Sequence, residues 1–387
     1  MNWFIASTFV AALPWLAIPL VTLLRFRQSK SLDDYEPLRG ANAPRLSVII
    51  PARDEAHNIE RCLGSALRTT YANVEIIVVD DHSSDGTGDI VRRMIAHDAR
   101  ARVTPPPPLP AGWFGKQWAC AHGASLATGD VLLFTDADTW HAPDLYARSV
   151  SAMFARGADL LTVFGRQEAV SFWEMAGQPT VFFGLVALTG GTEPMSQTRD
   201  ARRKAANGQC ILVRRDAYDV VGGHEAVRGY VVEDVMMARR VAEAGRAVHA
   251  VMGVGQLSTR MYRGLGDFIQ GWRKNIWAGG KFLVADRPSA RALLRVALPL
   301  SPFIGLIPLV ALGVGYGVWG VRWWGVFGAA GYVYETVMLA VFFRRYKIPV
   351  VSALLYPIGL LLVSYVAMLA VLRGDRTEWK GRTYVVG

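Results

Sequence analysis

Residues 3–24 carry no charge, and three further stretches, 296–319, 323–343 and 349–372, are nearly as apolar at the other end of the chain. Each approaches the roughly 20 residues a helix needs to cross a bilayer. A single soluble domain cannot enclose that much continuous apolar length, so the runs predict membrane segments on both sides of a polar middle. The 387-residue chain is 52% hydrophobic and 19% charged, and residues 31–290 hold nearly all of its Asp and Glu. The predicted organisation is an anchor over 1–24, a polar domain over 31–290, a membrane region of two to three spans over 291–372 and a basic tail over 373–387.

The first segment begins Met-Asn-Trp rather than with a basic region, and no small-residue cleavage site precedes Arg25, so it reads as a retained anchor. Arg25, Arg27 and Lys30 follow it directly, which places the polar domain on the cytoplasmic side of a cell membrane that the chain crosses several times. Three spans after the domain leave the tail outside, although Arg373, Arg376, Lys380 and Arg382 favour the cytoplasm. Pro299, Pro302 and Pro308 make 296–319 the suspect, a stretch they could break into a re-entrant or interfacial segment. That choice moves Arg344, Arg345 and Lys347 outside instead, and both topologies stay open.

Cys62, Cys120 and Cys210 are odd in number and lack metal-ligand spacing, as expected in a reducing compartment. The net charge of +10 is spread along the chain and concentrated beside the apolar stretches. Anionic headgroups are the matching partner, and no nucleic-acid module is recognisable. The sequence says nothing about oligomeric state.

In the polar region, 46–51 (LSVIIP), 74–81 (VEIIVVDD) and 130–135 (DVLLFT) are short β-branched runs ending in polar residues. Strands covered on both faces of a parallel sheet look like this. Ile59, Cys62, Leu63, Ala66 and Leu67 recur at helical spacing between the first two, giving strand, helix, strand. The fold class is α/β, and its ligands belong beyond the carboxyl ends of the strands. Asp54, Glu55, Asp80, Asp81, Asp136 and Asp138 gather on that rim. The proline run 105–110 is a surface connection, and the interrupted aromatic stretch 172–188 reads as a helix lying in the membrane interface.

Asp136 and Asp138 stand two apart after a buried strand, where extended geometry puts both on one face toward a hard cation. Such a tripeptide also arises by chance at turns and helix starts. Its neighbour VVDDHSSDGT (78–87) decides for chemistry: Asp81 is placed to accept hydrogen bonds from a nucleotide, while Ser84 and Asp85 cap the following helix. Glu233 and Asp234 precede a helical run, where acids favour the amino terminus whatever else they do. His224, after Gly222 and Gly223, is a candidate acceptor-site residue or a structural histidine.

The ordered set PARDE (51–55), VVDDHSSDGT (78–87), Gly115-Lys116, TDAD (135–138), Glu233-Asp234 and QGWRK (270–274) resembles the inverting GT-A glycosyltransferases of family 2. That family includes cellulose, chitin and hyaluronan synthases, ceramide glucosyltransferase and dolichol-phosphate mannose synthase. The resemblance implies a Rossmann-like, mostly parallel GT-A domain with transmembrane helices at both ends. It implies that Ala52, Asp54, Glu55, Asp81, Lys116, Asp136, Gln270 and Arg273 hold the nucleotide-sugar, probed first as a UDP-sugar. Asp136 and Asp138 then carry Mg²⁺ or Mn²⁺, and Asp234, beside Glu233, becomes the general base of an inverting transfer. Lys274 stands where the family's Q-x-x-R-W pattern has an aromatic residue, with Trp272 and Trp277 as nearby substitutes.

The segment 112–120 and the tail residues Trp379, Lys380, Gly381, Arg382 and Tyr384 are similar to bacterial glycosyltransferases of carotenoids or of hopanoid synthesis. A membrane lipid, either carotenoid, hopanoid or ceramide-like, is therefore the expected acceptor. A processive polysaccharide synthase shares the same acids but needs more spans. A transporter would not need three acid-terminated strands, and a non-catalytic nucleotide-binding scaffold would not need Asp136, Asp138 and Asp234 together.

Overall fold

The computed structural model describes residues 2–40, 43–281, 287–317, 322–374, 376–379 and 382–385. They form two compact units. Residues 29–166 and 192–261, with the two short strands after 375, make a polar α/β unit; residues 167–191 and 262–374 join the first 28 in a helical unit.

The main sheet of the polar unit has seven strands: β1 Leu46–Ala52, β2 Val74–Asp80, β3 Ala101–Thr104, β4 Val131–Phe134, β5 Leu160–Phe164, β6 Ile211–Arg214 and β7 Val248–Met252. Their spatial order is β3-β2-β1-β4-β6-β5-β7. Every pairing is parallel except those of β6, which runs antiparallel to β4 and β5. The register matches Ala52 to Asp80 and Ile49 to Phe134, so the acids after β1, β2 and β4 emerge along one carboxyl edge.

The central strands lack polar alternation because both faces are covered. Val48, Ile50, Ile76 and Val78 enter the core with Ile59, Cys62 and Leu63 of the helix Ile59–Leu67. On the opposite face, the helix Gly115–Leu126 comes so close at Gly123 that a methyl group there would lie 2.6 Å from Ile49 Cγ2. This close approach fixes the helix whose first turn carries Lys116.

One buried carboxylate ties three strands to the loop entering β4. Glu75 Oε1 accepts from Ser47 Oγ at 2.6 Å, Thr128 N at 2.6 Å and Thr128 Oγ1 at 2.8 Å, while Arg102 stands 3.1 Å from Oε2. Burial works to raise the Glu75 carboxyl, but the donors from Ser47 and Thr128 and the Arg102 charge hold it below the usual range.

The helical unit contains Asn2–Phe26, Phe172–Thr189, Leu265–Lys281, Pro288–Leu300, Ile307–Gly317, Arg322–Arg345 and Tyr356–Arg373. Among the described residues, Pro288–Ala311, Gly325–Arg345 and Val350–Arg373 are long and apolar enough to cross a membrane. Residues 301–306 form a 3₁₀ turn at Pro302 inside the suspected stretch, so the prolines interrupt that helix without ending its apolar length. The anchor expected over 1–24 falls on Asn2–Phe26; Met1 and the side chains of residues 2–12 and 15 lie outside the described set. Residues 318 and 319 of the stretch 296–319, and Lys380 and Gly381 of the tail, also lie outside it.

The stretch 172–188 is one helix, and its polar interruptions are satisfied inside the helical unit. Ser171 caps it at Glu174 N, and Gln178 Oε1 accepts from Trp272 Nε1 at 3.0 Å. Gly359 packs against Ala176 O and Thr180 with no space for a side chain, the close helix contact that small residues permit.

Removing the carboxylate under the sheet tests this account. Glu75→Ala should cost about 2–4 kcal/mol, because Ser47, Thr128 and Arg102 lose a buried partner. A carboxyl held low when folded contributes fully above its ordinary value and loses that contribution as pH falls through the lowered one. Thermal unfolding in detergent should therefore show a wild-type advantage at neutral pH that narrows in acid.

Candidate active site

The carboxyl edge is shaped first by the loops after β1 and β2. Asp54 adopts a left-handed φ of 51°, strained for a side-chain-bearing residue. Its N–H donates to Ser83 Oγ at 2.9 Å, and its Oδ1 accepts from Ser84 N at 2.8 Å. Ser84 thus locks Asp54 rather than capping a helix. The helix Thr87–Ile95 starts at Gly86, and Asp85 takes the Thr87 N–H at 3.0 Å. Asp81 is buried, with Arg53 Nη1 3.5 Å and His82 Nδ1 3.3 Å from its carboxylate. Its own N–H donates to Ala52 O at 2.8 Å, which fixes the ends of β1 and β2 together.

The second layer is a charge cluster assembled from four separated parts of the chain. Lys116 Nζ lies 2.6 Å from Asp136 Oδ1 and 2.8 Å from Glu233 Oε1. Glu233 and Asp234 occupy the first turn of the helix Glu233–Glu243, so the acids do meet a helix amino terminus as well as the site. Asp234 Oδ2 accepts from Gly208 N at 2.8 Å and Oδ1 from Val235 N at 2.8 Å. One cavity is lined by Lys116, Asp136, Gly208, His224, Glu233 and Asp234. A larger groove at Gly129, Phe154 and Asp216 lies by the amino end of β4 and carries no comparable acid cluster.

Burial sets the proton affinities here. It works to lower the Lys116 ammonium, yet Asp136 and Glu233 outweigh it and hold lysine well above its ordinary value. Burial, then the Glu233 charge, pushes Asp234 up to about 6 against the pull of Lys116. Burial, then Asp136 and Glu55, pushes Asp138 up to about 8.

Asp136 and Asp138 do not share the face of an extended strand. β4 ends at Phe134, and Ala137 and Asp138 form a turn braced by Thr139 Oγ1 donating to Asp136 O at 2.7 Å. Beneath the turn, Thr135 Oγ1 donates to Gln209 O at 2.7 Å, and neutral His141 meets Thr139 and Tyr146. Asp138 Oδ1 is buried and has no hydrogen-bond partner among the described residues. An orphaned acid oxygen beside a second carboxylate fits a hard divalent cation. Among the described residues no three His, Cys, Asp or Glu side chains form a cage. A cation here would therefore take the rest of its oxygens from a phosphate-bearing ligand and water, the usual arrangement for Mg²⁺.

Ala52, Asp54, Glu55, Asp81, Lys116, Asp136, Asp138, Glu233 and Asp234 all lie in the polar unit. Gln270 and Arg273 lie three residues apart on the helix Leu265–Lys281 of the helical unit. Trp272 and Trp277 on the same helix are buried in its apolar clusters. Gly208 is the residue sequence reasoning missed. A Cβ there would stand 3.0 Å from Lys116 Nζ and 3.4 Å from Asp234 Oδ2. No motif announced it.

Residues 47–222 match the family described as glycosyl transferase family 2. The match covers under half of the chain. The chain is 27% identical over 251 residues to a 4,4'-diaponeurosporenoate glycosyltransferase of Staphylococcus haemolyticus (strain JCSC1435), covering 62% of this chain and 63% of that protein. It is 26% identical over 248 residues to the protein of the same name from Staphylococcus aureus (strain MRSA252), covering 62% of each. The chain thus spans less than two thirds of the length of these curated relatives. In fold it is similar to a mannosyltransferase from Pyrobaculum calidifontis solved with GDP-Man and Mn²⁺, with TM-score 0.56, 18% identity and coverage of 95% of this chain and 97% of that one. The mostly parallel sheet is the GT-A sheet.

Gly208→Ala tests how tightly this domain's site is packed. The added methyl must displace Lys116 or Asp234 by tenths of an ångström, so turnover should fall about 10- to 100-fold while the melting temperature moves by only a few degrees. Turnover and thermal unfolding measured on the same preparation decide it.

Proposed function

We propose that this chain is a membrane-bound inverting glycosyltransferase that moves a sugar from a nucleotide-sugar to a lipid acceptor. The observation that carries the reading is the convergence of Lys116, Asp136, Glu233 and Asp234 on one cavity, with Asp138 close enough for the Asp136 charge to raise it. Asp81 and the loop held by Asp54 support the nucleoside, Glu55 stands toward the acid pair, and Gln270 and Arg273 are reserved for the diphosphate. Mg²⁺ or Mn²⁺ at Asp136 and Asp138 would supply positive charge against the departing nucleoside diphosphate.

The acceptor oxygen attacks the anomeric carbon from the face opposite the diphosphate, forming the new C–O bond as the C–O bond to phosphate breaks. Asp234 receives the proton of an acceptor hydroxyl, and Glu233 holds Lys116 in place. Lys116 faces the negative charge that the leaving group takes away.

A lipid acceptor is supported by the three apolar helices and by exposed side chains such as Leu293, Val326 and Leu372 along them. The name of the Staphylococcus relatives adds a specific class, an apolar chain ending in a carboxyl group. The domain faces the cytoplasm in this reading, behind an anchor over 1–24 and before the membrane region 291–372. A processive synthase would release a long water-soluble glycan from the same acids, and product analysis with extracted bacterial lipids distinguishes the two.

Two experiments test the chemistry. Calorimetry in a nucleoside diphosphate should show Mn²⁺ affinity rising with pH through about 8, because the Asp138 proton must leave before the cation is held. Asp138→Asn should abolish that dependence, and full turnover in excess chelator would exclude the metal.

For Asp234, which ionises near 6, turnover onto a hydroxyl acceptor should be level above about pH 7 and fall about tenfold per unit well below 6. Asp234→Asn should bind donor normally, lose the acid limb and run about 10²- to 10⁴-fold slower. A carboxyl acceptor arrives already ionised, so with it the same variant should lose far less.

A further inference from the structure

His224 lies in the cavity wall with Lys116, Glu233 and Asp234, yet nothing described so far uses it. Its position is built from several directions. Gly222 and Gly223 take left-handed φ angles of 77° and 53°, which glycine adopts without strain. A Cβ on Gly223 would fall 2.6 Å from the Tyr218 ring, so the loop also needs glycine for space. The imidazole meets Phe134 edge to face at 4.6 Å between centroids, and only 6% of the residue is exposed.

Two hydrogen bonds to Tyr218 fix which ring nitrogen carries the proton. The His224 backbone N–H can only donate, and it reaches Tyr218 Oη at 3.1 Å. Tyr218 Oη also lies 2.8 Å from His224 Nδ1. If Nδ1 donated as well, the buried phenol hydrogen would have no acceptor among the described residues, a cost of about 1–3 kcal/mol. The phenol therefore donates to Nδ1, and the imidazole proton resides on Nε2. Among the described residues Nε2 has no hydrogen-bond partner. Burial, against the Glu233 charge, lowers the ring's proton affinity to about 4, so at neutral pH it is an uncharged donor.

Resting on the glycosyl-transfer reading, we propose that His224 Nε2–H donates to a hydroxyl of the transferred sugar and so selects the donor by its sugar. The other polar groups of the cavity support this division of labour. Glu233 and Asp234 only accept, and Lys116 is spent between Asp136 and Glu233. A sugar hydroxyl can accept from His224 while donating to a neighbouring carboxylate, a pairing neither a carboxylate nor a phosphate oxygen can complete. Tyr218, which sets the tautomer, is a positioning residue.

The test is calorimetric binding of UDP, UDP-glucose, GDP and GDP-mannose to the full chain in detergent with Mn²⁺, for wild type, His224→Ala, His224→Gln and Tyr218→Phe. For the nucleotide pair that wild type binds, His224→Ala should weaken the nucleotide-sugar about tenfold, the worth of one hydrogen bond to a buried donor, and the diphosphate less than twofold. His224→Gln, which carries an amide donor, should recover part of the loss, and Tyr218→Phe should fall between. Retained diphosphate binding shows that each variant is folded. Equal losses for nucleotide-sugar and diphosphate, or no loss for either, would overturn the role of His224 while leaving the glycosyl-transfer reading intact. Failure of wild type to bind any of the four would overturn that reading, and the proposal with it.

Discussion

The ammonium of Lys116 is the point on which the site depends. It bridges Asp136, which follows β4, and Glu233, which opens a helix some hundred residues later, and Asp234 is drawn toward it from the next position. Without that cation, three carboxylates would share a partly buried space, and mutual repulsion would protonate some of them. The fold meets this need mechanically. Gly123 lets the helix carrying Lys116 lie flush on β1 and β2, and Gly208 leaves the space into which the ammonium and Asp234 reach. A geometry argued from electrostatics therefore depends on two positions that carry no side chain.

The same arrangement separates the carboxyls by task. Asp138 is pushed up to about 8 because burial favours its neutral form and the charges of Asp136 and Glu55 stand near it. Asp234 stays lower because two backbone N–H groups and Lys116 favour its charged form. At neutral pH one group thus keeps its proton while the other is ionised. Environments that push neighbouring acids apart in this way are how one cluster supports two chemical roles.

Much of this was legible in the sequence because the carriers were local. The runs LSVIIP and VEIIVVDD became adjacent parallel strands with the intervening helix as spaced, and their trailing acids share an edge because parallel register forces it. What was not legible arose from long-range packing. The turn at Ala137 and Asp138 replaced extended geometry because Thr135 and Thr139 tie the backbone down to Gln209 and His141, residues far apart in sequence or of no motif. Ser84 looked like a cap but found a better partner in the strained Asp54. Gly208 and the tautomer of His224 depend on what stands opposite them, which spacing cannot reveal.

The helical unit bears on whether the product is a lipid or a polymer. A tunnel for a growing glycan needs unspent hydrogen-bonding groups along a water-filled path, since each buried polar group must find a partner. Several polar groups between helices are turned on one another, while Thr336 Oγ1 and Ser352 Oγ are buried with no hydrogen-bond partner among the described residues. Gln178 accepts from Trp272, Ser364 donates to Pro299 O at 2.6 Å, and Tyr334 donates to Leu16 O at 2.6 Å. Phe26 stacks on Tyr346 at 4.7 Å, and Gly359 closes against Ala176 with no gap for a side chain. These contacts pack the helices closely, and Leu293, Val326 and Leu372 are among their exposed side chains. Such exposed apolar side chains suit a hydrocarbon chain, which supports the proposed lipid acceptor.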